Sequence, residues 1–144
     1  MGNFFTGRSN RQEYWISVVI LIVAALALAY FQMQAASAAI TIMWVITWIR
    51  RLHDIGKPGW LSILPIVIVV GLVLLGFAIG GKAFENIIIG AETGGQISPN
   101  DPGFGLVALV IFGGLIFQFG FTIWLGMRKG DAGDNKFGAP PPKD

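Results

Sequence analysis

Residues 14–31 read YWISVVILIVAALALAYF, a run without a single charged side chain. A helix needs about 20 mostly apolar residues to cross roughly 30 Å of hydrocarbon, so this run predicts a membrane-spanning helix. Two pairs of residues just before it, Ser9 with Gln12 and Asn10 with Glu13, each fit a capping box. The helix is therefore predicted to begin near residue 10.

A second apolar run covers residues 35–49, with only the short polar segment 32–34 between the two runs. A single helix over residues 14–49 would be about 54 Å long at 1.5 Å per residue, which is far longer than the hydrocarbon layer is thick. The chain must therefore turn, and we expect a tight helical hairpin at residues 32–34. The second helix is expected to continue past the membrane to Gly56, which fits the position just after a helix end, with Pro58 beyond it.

The third predicted span covers residues 60–80 and ends in a GxxxG pattern formed by Gly76 and Gly80. Such a pattern lets another helix approach closely, although glycine is also simply common in membrane helices. Residues 81–103 are rich in glycine and are predicted to form a connector, with a short interfacial helix over residues 83–89.

The fourth predicted span covers residues 104–127 and contains Gln118, a lone amide of the kind that bonds to a neighbouring helix. The fold class is thus predicted to be all-α: a polytopic membrane protein whose residues 1–130 form one domain, a bundle of four transmembrane helices. Residues 131–144 are predicted to be a cytoplasmic tail that is disordered at its end.

The composition also favours lipid as the surrounding solvent. Of the 144 residues, 54% are hydrophobic and only 12% are charged, whereas about a quarter of the residues in soluble domains are charged. The mean hydropathy is +0.68, and a soluble chain of this size could not bury so much apolar surface. With no cysteine and one histidine, the chain lacks the usual zinc ligands, and neither a metal nor a cofactor is predicted.

The positive charges predict the orientation of the chain. Nine of the ten lysines and arginines fall in the N-terminal segment, the connector after the second run, and the tail. An even number of spans places these three segments on one side of the membrane, and basic segments favour the cytoplasmic side. Both termini are therefore predicted to be cytoplasmic. Because topology explains the basic residues, nucleic acid is not an expected partner.

Three polar segments carry the most distinctive sequence: GRSNRQEYW at residues 7–15, RRLHDIGKPGW at residues 50–60 and GDNKFG at residues 133–138. They resemble the pattern of a bacterial inner-membrane family known as domain of unknown function 805. That family shows an early GRxxRxEYW stretch, a central RLHDxGxxGW stretch and a late segment of asparagine, phenylalanine and glycine. The resemblance covers nearly the whole chain, although the connector at residues 81–103 is longer than usual. It implies a small multi-span protein of the bacterial inner membrane and supplies no established activity.

Asp54 is unusual because it lies in the last turn of a predicted helix, where the helix dipole disfavours an anion. We expect it to pair with Arg50, one turn earlier, or with Arg8 or Arg11 from the N-terminal segment. Arg50 and Arg51 point about 100° apart, so only one of them can face the bundle squarely, and the other is expected to reach lipid phosphate. The alternative is a solvated belt of charges that serves only topology.

The leading functional hypothesis is a binding protein without enzymatic activity. Its expected partners are anionic lipid headgroups, another membrane protein, or further copies of the chain, because a basic face gains about 1 kcal/mol per cation near an anionic leaflet. The residues predicted to bind headgroups or a partner are Arg8, Arg11, Arg50, Arg51, His53, Asp54 and Lys57.

Two alternatives remain open at this point. One is a small oligomeric channel or transporter, with Gly76, Gly80 and Gln118 at helix contacts, although the span centres carry no charge of the kind that carriers use. The other is a membrane enzyme that uses His53 and Asp54. Adjacent residues on a helix point in different directions, and the segment offers no strong nucleophile, so catalysis is the weakest of the three hypotheses.

Overall fold

The computed structural model of the chain describes residues 7–33 and 36–141. In this part of the chain the α-helices are α1 (Arg11–Tyr30), α2 (Ser37–Asp54), α3 (Leu64–Thr93) and α4 (Phe104–Met127), and a 3₁₀ segment at Gly59–Ile63 precedes α3. No β-strand occurs among the described residues, where the only extended pairing is one isolated bridge between Asn135 and Gly138. The all-α class is confirmed.

Membrane-spanning capacity is found in three segments of the described chain rather than four. The three that are long and apolar enough to cross a membrane are Arg11–Tyr30, Gly59–Thr93 and Phe104–Met127. Helix α2 is missing from this set because its 18 residues include three charged side chains, Arg50, Arg51 and Asp54, in the last two turns. The prediction of four spans is therefore not confirmed as it stands, and the charged end of α2 is the reason.

Much of the apolar surface of α1 is exposed. Val19, Ile20, Val23 and Leu26 are between 57% and 66% exposed. Soluble monomers rarely leave contiguous apolar patches of this kind in water. The exposure is consistent with a helix that faces lipid.

Helix α1 begins where the capping box of Asn10 and Glu13 places it. The Asn10 side chain accepts a hydrogen bond from the Glu13 backbone at 2.7 Å, and the Glu13 carboxylate accepts one from the Asn10 backbone at 3.3 Å. At the other end Gln32 adopts a positive φ of 54°, and the Met33 amide donates to the Leu28 carbonyl at 2.9 Å. The predicted turn is confirmed as far as Met33, and residues 34 and 35 lie outside the described part of the chain.

Gly56 ends α2 as predicted. Its φ of +69° is a left-handed conformation that glycine adopts at no steric cost. The Gly56 amide donates to the His53 carbonyl at 3.2 Å, and the Lys57 amide donates to the Leu52 carbonyl at 2.8 Å. These two bonds form a Schellman motif, which satisfies carbonyls that a helix end would otherwise leave unpaired.

The chain packs as two compact units. The first contains the residues up to Ile63 and those from Thr122 onward, and the second contains Leu64–Phe121. The first unit therefore holds α1, α2, the last turns of α4 and the segment that follows α4.

In the second unit α3 is broken at Gly81, which has a non-helical φ of 50° and ψ of −131°. Phe84, just after the break, packs against the helical turns that precede the break. A Cβ atom on Gly80 would lie 2.7 Å from the Phe84 Cβ, and a Cβ atom on Gly76 would lie 2.5 Å from the Phe84 ring. The two glycines of the GxxxG pattern thus make room for Phe84, and Gly80 also makes room for Leu106 of α4. The predicted connector is helical as far as Thr93.

Candidate functional site

Three polar segments of the sequence meet within the first unit. The Ser9 amide donates to the Arg50 carbonyl at 3.3 Å, which joins the N-terminal segment to the end of α2. The Asp131 amide donates to the Asp54 carbonyl at 2.8 Å, which joins the segment after α4 to the same helix end. We name this meeting point of residues 8–11, 50–57 and 128–138 the polar junction.

Asp54 is the central anion of the polar junction and lies between two arginines. Its Oδ1 is 3.1 Å from Arg8, and its Oδ2 is 2.5 Å from Nη1 of Arg51. The three side chains are almost completely buried, at 1% exposure for each arginine and 4% for the aspartate. Of the predicted partners, Arg8 is confirmed. The second partner is Arg51, one residue away from the predicted Arg50.

The Arg51 side chain connects all parts of the polar junction. Its Nε donates to the Leu125 carbonyl at 3.2 Å, its Nη1 donates to the Ser9 carbonyl at 3.1 Å, and its Nη2 donates to the Arg128 carbonyl. The planar guanidinium group, with five donors in a fixed fork, is the only side chain that can hold this many acceptors at once. Arg51 therefore fixes the end of α4 against the N-terminal segment.

Arg8 holds the segment after α4 in the same way. Its Nη1 donates to the carbonyls of Gly133 and Gly138, at 2.8 and 3.1 Å, and its Nη2 donates to the Asp131 carbonyl at 2.5 Å. These bonds were not predicted. Every residue carries a backbone carbonyl, so the sequence does not show which carbonyls accept a hydrogen bond from an arginine. The tail is ordered through its main chain by an arginine more than a hundred positions earlier in the sequence.

Burial acts against both charges of the central pair. It raises the pKa of the Asp54 carboxyl above its ordinary value, while Arg51 and Arg8 act in the opposite direction. Burial also lowers the pKa of Arg51, and Asp54 opposes that change. Each ion is thus costly to bury alone and depends on its partners, so removal of one would leave an uncompensated buried charge.

The tail contacts the end of α2 through side chains as well. The Asn135 amide donates to the His53 carbonyl at 3.0 Å and to the Asp131 carboxylate at 2.8 Å. The Phe137 ring stacks on the His53 ring, with 3.8 Å between centroids and 12° between planes. His53 is therefore a buried packing surface for the tail. The predicted disorder at the end of the tail falls on residues 142–144, outside the described part of the chain.

Tyr14 and Trp48 fix α1 and α2 to the last turns of α4. The Tyr14 hydroxyl donates to the Thr122 carbonyl at 2.8 Å, and the Trp48 indole donates to the Thr122 hydroxyl at 3.2 Å. Tyr14 is fully buried. Aromatic side chains near span ends are typical of membrane proteins for other reasons, so the sequence alone could not distinguish these contacts.

The other predicted binding residues lie at the surface of the polar junction. The Arg50 side chain is 24% exposed, with Nη2 3.8 Å from the Glu13 carboxylate. Arg11 is exposed and donates to the Met127 carbonyl at 2.5 Å, and Lys57 is exposed. Further exposed cations of the polar junction, which the sequence analysis did not select, are Arg128, Lys129 and Lys136.

The residues proposed for helix packing are not part of the polar junction. Gly76, Gly80 and Gln118 all belong to the second unit, where Gln118 is half-buried on α4. Their role in contacts between copies of the chain stays a prediction. Within the described residues no group of three or more histidine, cysteine, aspartate or glutamate side chains is placed to hold a metal ion.

Comparison with known proteins gives a match to a family model. The model, described as "Protein of unknown function (DUF805)", matches residues 3–139. The matched range contains all three polar segments that form the junction. No curated protein and no solved structure matches the chain.

Proposed function

This chain belongs to the DUF805 family, whose description assigns no function, and from the geometry of the polar junction we propose that it is a non-enzymatic membrane protein that binds anionic lipid headgroups. The observation that carries the proposal is that the basic side chains of the polar junction fall into a buried group and an exposed group. Arg8 and Arg51 are buried and hold the junction together, whereas Arg11, Lys57 and Lys129 are exposed on the ordered surface that results.

The exposed cations supply the affinity in this proposal. Each cation near an anionic leaflet contributes about 1 kcal/mol. The exposed carboxylates of Asp131 and Asp134 offset part of this attraction. Because the three segments are held in one place by buried hydrogen bonds, little conformational entropy is lost when the cations meet lipid phosphates.

The environment of His53 and Asp54 supports a role other than catalysis. Asp54 is occupied by two guanidinium groups, and the His53 ring is covered by Phe137. A general base must reach a substrate proton within hydrogen-bond distance. Both side chains already have partners within the protein, which favours a binding role over catalysis.

We further propose that the protein lies in the bacterial inner membrane with both termini in the cytoplasm. Helix α2 has 18 residues, and the part before Arg50, residues 37–49, is about 20 Å long at 1.5 Å per residue. It can serve as a short fourth span where the bilayer thins around it, with Arg50, Arg51 and Asp54 at the level of the headgroups. The excess of lysine and arginine in the polar junction supports the cytoplasmic orientation.

The function is tested by measuring how many phosphatidylglycerol and phosphatidylcholine molecules the purified protein retains, by native mass spectrometry. Wild type is expected to prefer phosphatidylglycerol. The double variant Lys57→Gln/Lys129→Gln should lose about 30-fold in affinity for phosphatidylglycerol, since two cations contribute about 2 kcal/mol. Lys82→Gln, a matched substitution outside the junction, should change nothing. Equal binding of the two lipids by wild type would refute the proposal.

A further inference from the structure

A cavity of about 210 Å³ lies between α1 and α2 in the first unit. Its lining comes from one face of each helix. Arg50, Thr47 and Met43 follow one another at helical spacing on α2, and Ser17 and Leu21 do so on α1. The cavity thus extends about 10 Å along the helix axis, from Arg50 to Met43, at 1.5 Å per residue.

The end of the cavity nearest the polar junction is polar and positively charged. Arg50 and Ser9 line it there. The Arg50 guanidinium group lies 3.8 Å from the Glu13 carboxylate, and the hydrogen bond that Arg50 donates to the Arg8 carbonyl is 3.5 Å long. Both contacts are longer than charge-assisted hydrogen bonds usually are. A phosphate oxygen could make a shorter contact with this arginine than the Glu13 carboxylate or the Arg8 carbonyl does.

The opposite end of the cavity is apolar. Ile20, Leu21, Met43 and Ile46 line it. Ile20 is 60% exposed and Met43 is 38% exposed, so this end opens onto the apolar surface of the helices rather than closing inside the protein. A hydrocarbon chain that enters here could continue along α1, which is apolar enough to lie in a membrane.

We propose that this cavity is the specific binding site for one anionic phospholipid, with the lipid phosphate on Arg50 and the start of one acyl chain against Leu21 and Met43. This rests on the proposed function and gives it a defined site. Small-molecule pockets usually measure about 300–1,000 Å³. A cavity of about 210 Å³ therefore encloses the phosphate, the glycerol and the first methylene groups, and the rest of the lipid stays in the bilayer.

A substitution at Glu13 tests the site through a gain of lipid binding, which a misfolded protein would not show. Its carboxylate competes with a lipid phosphate for Arg50. Glutamine at this position can still form the capping box with Asn10, so Glu13→Gln should leave α1 intact. We expect the variant to bind phosphatidylglycerol several-fold more tightly than wild type, as measured by native mass spectrometry over a series of lipid concentrations.

Two further variants remove the site. Arg50→Gln should weaken the tightest-bound phosphatidylglycerol by at least tenfold, because a hydrogen bond to a charged group contributes about 1.5–3 kcal/mol. Ser17→Leu should fill the cavity and abolish the same binding step, whereas Val19→Leu, on the exposed side of α1, should not. Melting curves in detergent identify any variant that fails to fold.

The combined results distinguish lipid binding in the cavity from lipid binding by the exposed cations of the polar junction. If the tightest-bound lipid is insensitive to Glu13→Gln, Arg50→Gln and Ser17→Leu but still depends on Lys57 and Lys129, the cavity proposal is overturned and the proposed function stands. If no variant changes a lipid preference because wild type has none, both are overturned. Binding of inorganic phosphate as tight as that of the lipid would show that the acyl chain contributes nothing, and would overturn the assignment to a lipid.

Discussion

Replacement of Asp54 by asparagine is expected to lower the melting temperature of the detergent-solubilised protein by on the order of 10 °C. The neutral amide would carry no charge to compensate Arg8 and Arg51, which are buried at 1% exposure. Loss of one partner from a buried ion pair costs about 3–5 kcal/mol. In a domain of this size each kcal/mol corresponds to roughly 3–4 °C.

The matched control for this prediction is Asp134→Asn. Asp134 lies in the tail and is exposed, so the same chemical change there should shift the melting temperature by about 1 °C or less, as surface substitutions usually do. Thermal unfolding followed by circular dichroism measures both variants. If Asp54→Asn melts together with the control, the buried network contributes little to stability and the account of the polar junction is wrong.

The second large effect is expected for Arg51→Lys, which keeps the charge and removes the fork. A lysine has three donors at one point and cannot reach Asp54 together with the carbonyls of Ser9, Leu125 and Arg128. Each buried acceptor left without a donor costs about 1–3 kcal/mol. We expect a loss of about 3 kcal/mol in the free energy of unfolding, measured as a fall in melting temperature of about 10 °C.

The adjacent arginine supplies the control for this substitution. Arg50 is partly exposed, and its ion pair with Glu13 is 3.8 Å long. Exposed pairs of this kind contribute about 1 kcal/mol or less. Arg50→Lys should therefore leave the melting temperature nearly unchanged. Equal losses at positions 50 and 51 would mean that charge alone, rather than the geometry of the Arg51 guanidinium group, stabilises the junction.

Local signals in the sequence predicted the ends of the helices well. The capping box at Asn10 and Glu13, the C-terminal glycine at Gly56 and the bounds of α4 at residues 104–127 are confirmed. The first two features depend on residues within one or two helical turns of one another, and the third depends on one continuous apolar run. The residues that determine each helix end therefore lie close to that end in the sequence.

Features that depend on distant residues could not be predicted in the same way. The break of α3 at Gly81 falls at the predicted boundary between the third span and the connector, but the packing of Phe84 against Gly76 and Gly80 was not predicted. The docking of the tail on Arg8 uses carbonyl groups, which every residue carries.

The buried partner of Asp54 depends on both neighbouring and distant residues, because the sequence offered Arg50 and Arg51 and only one of them is buried against Asp54. Helical geometry showed that the two arginines point in different directions. Which of them faces the protein depends on where the N-terminal segment and the end of α4 lie. That information is nonlocal, and only the three-dimensional structure supplies it.

The central proposal is that the polar junction faces the cytoplasm and that residues 94–103, between α3 and α4, face the opposite side. The chain contains no cysteine, so single substitutions Lys57→Cys, Lys136→Cys and Asn100→Cys each provide one thiol for a membrane-impermeant reagent. In intact cells with a permeable outer membrane we predict labelling at position 100 only, and labelling at positions 57 and 136 only after the inner membrane is opened. Labelling of position 57 or 136 in intact cells would contradict the account.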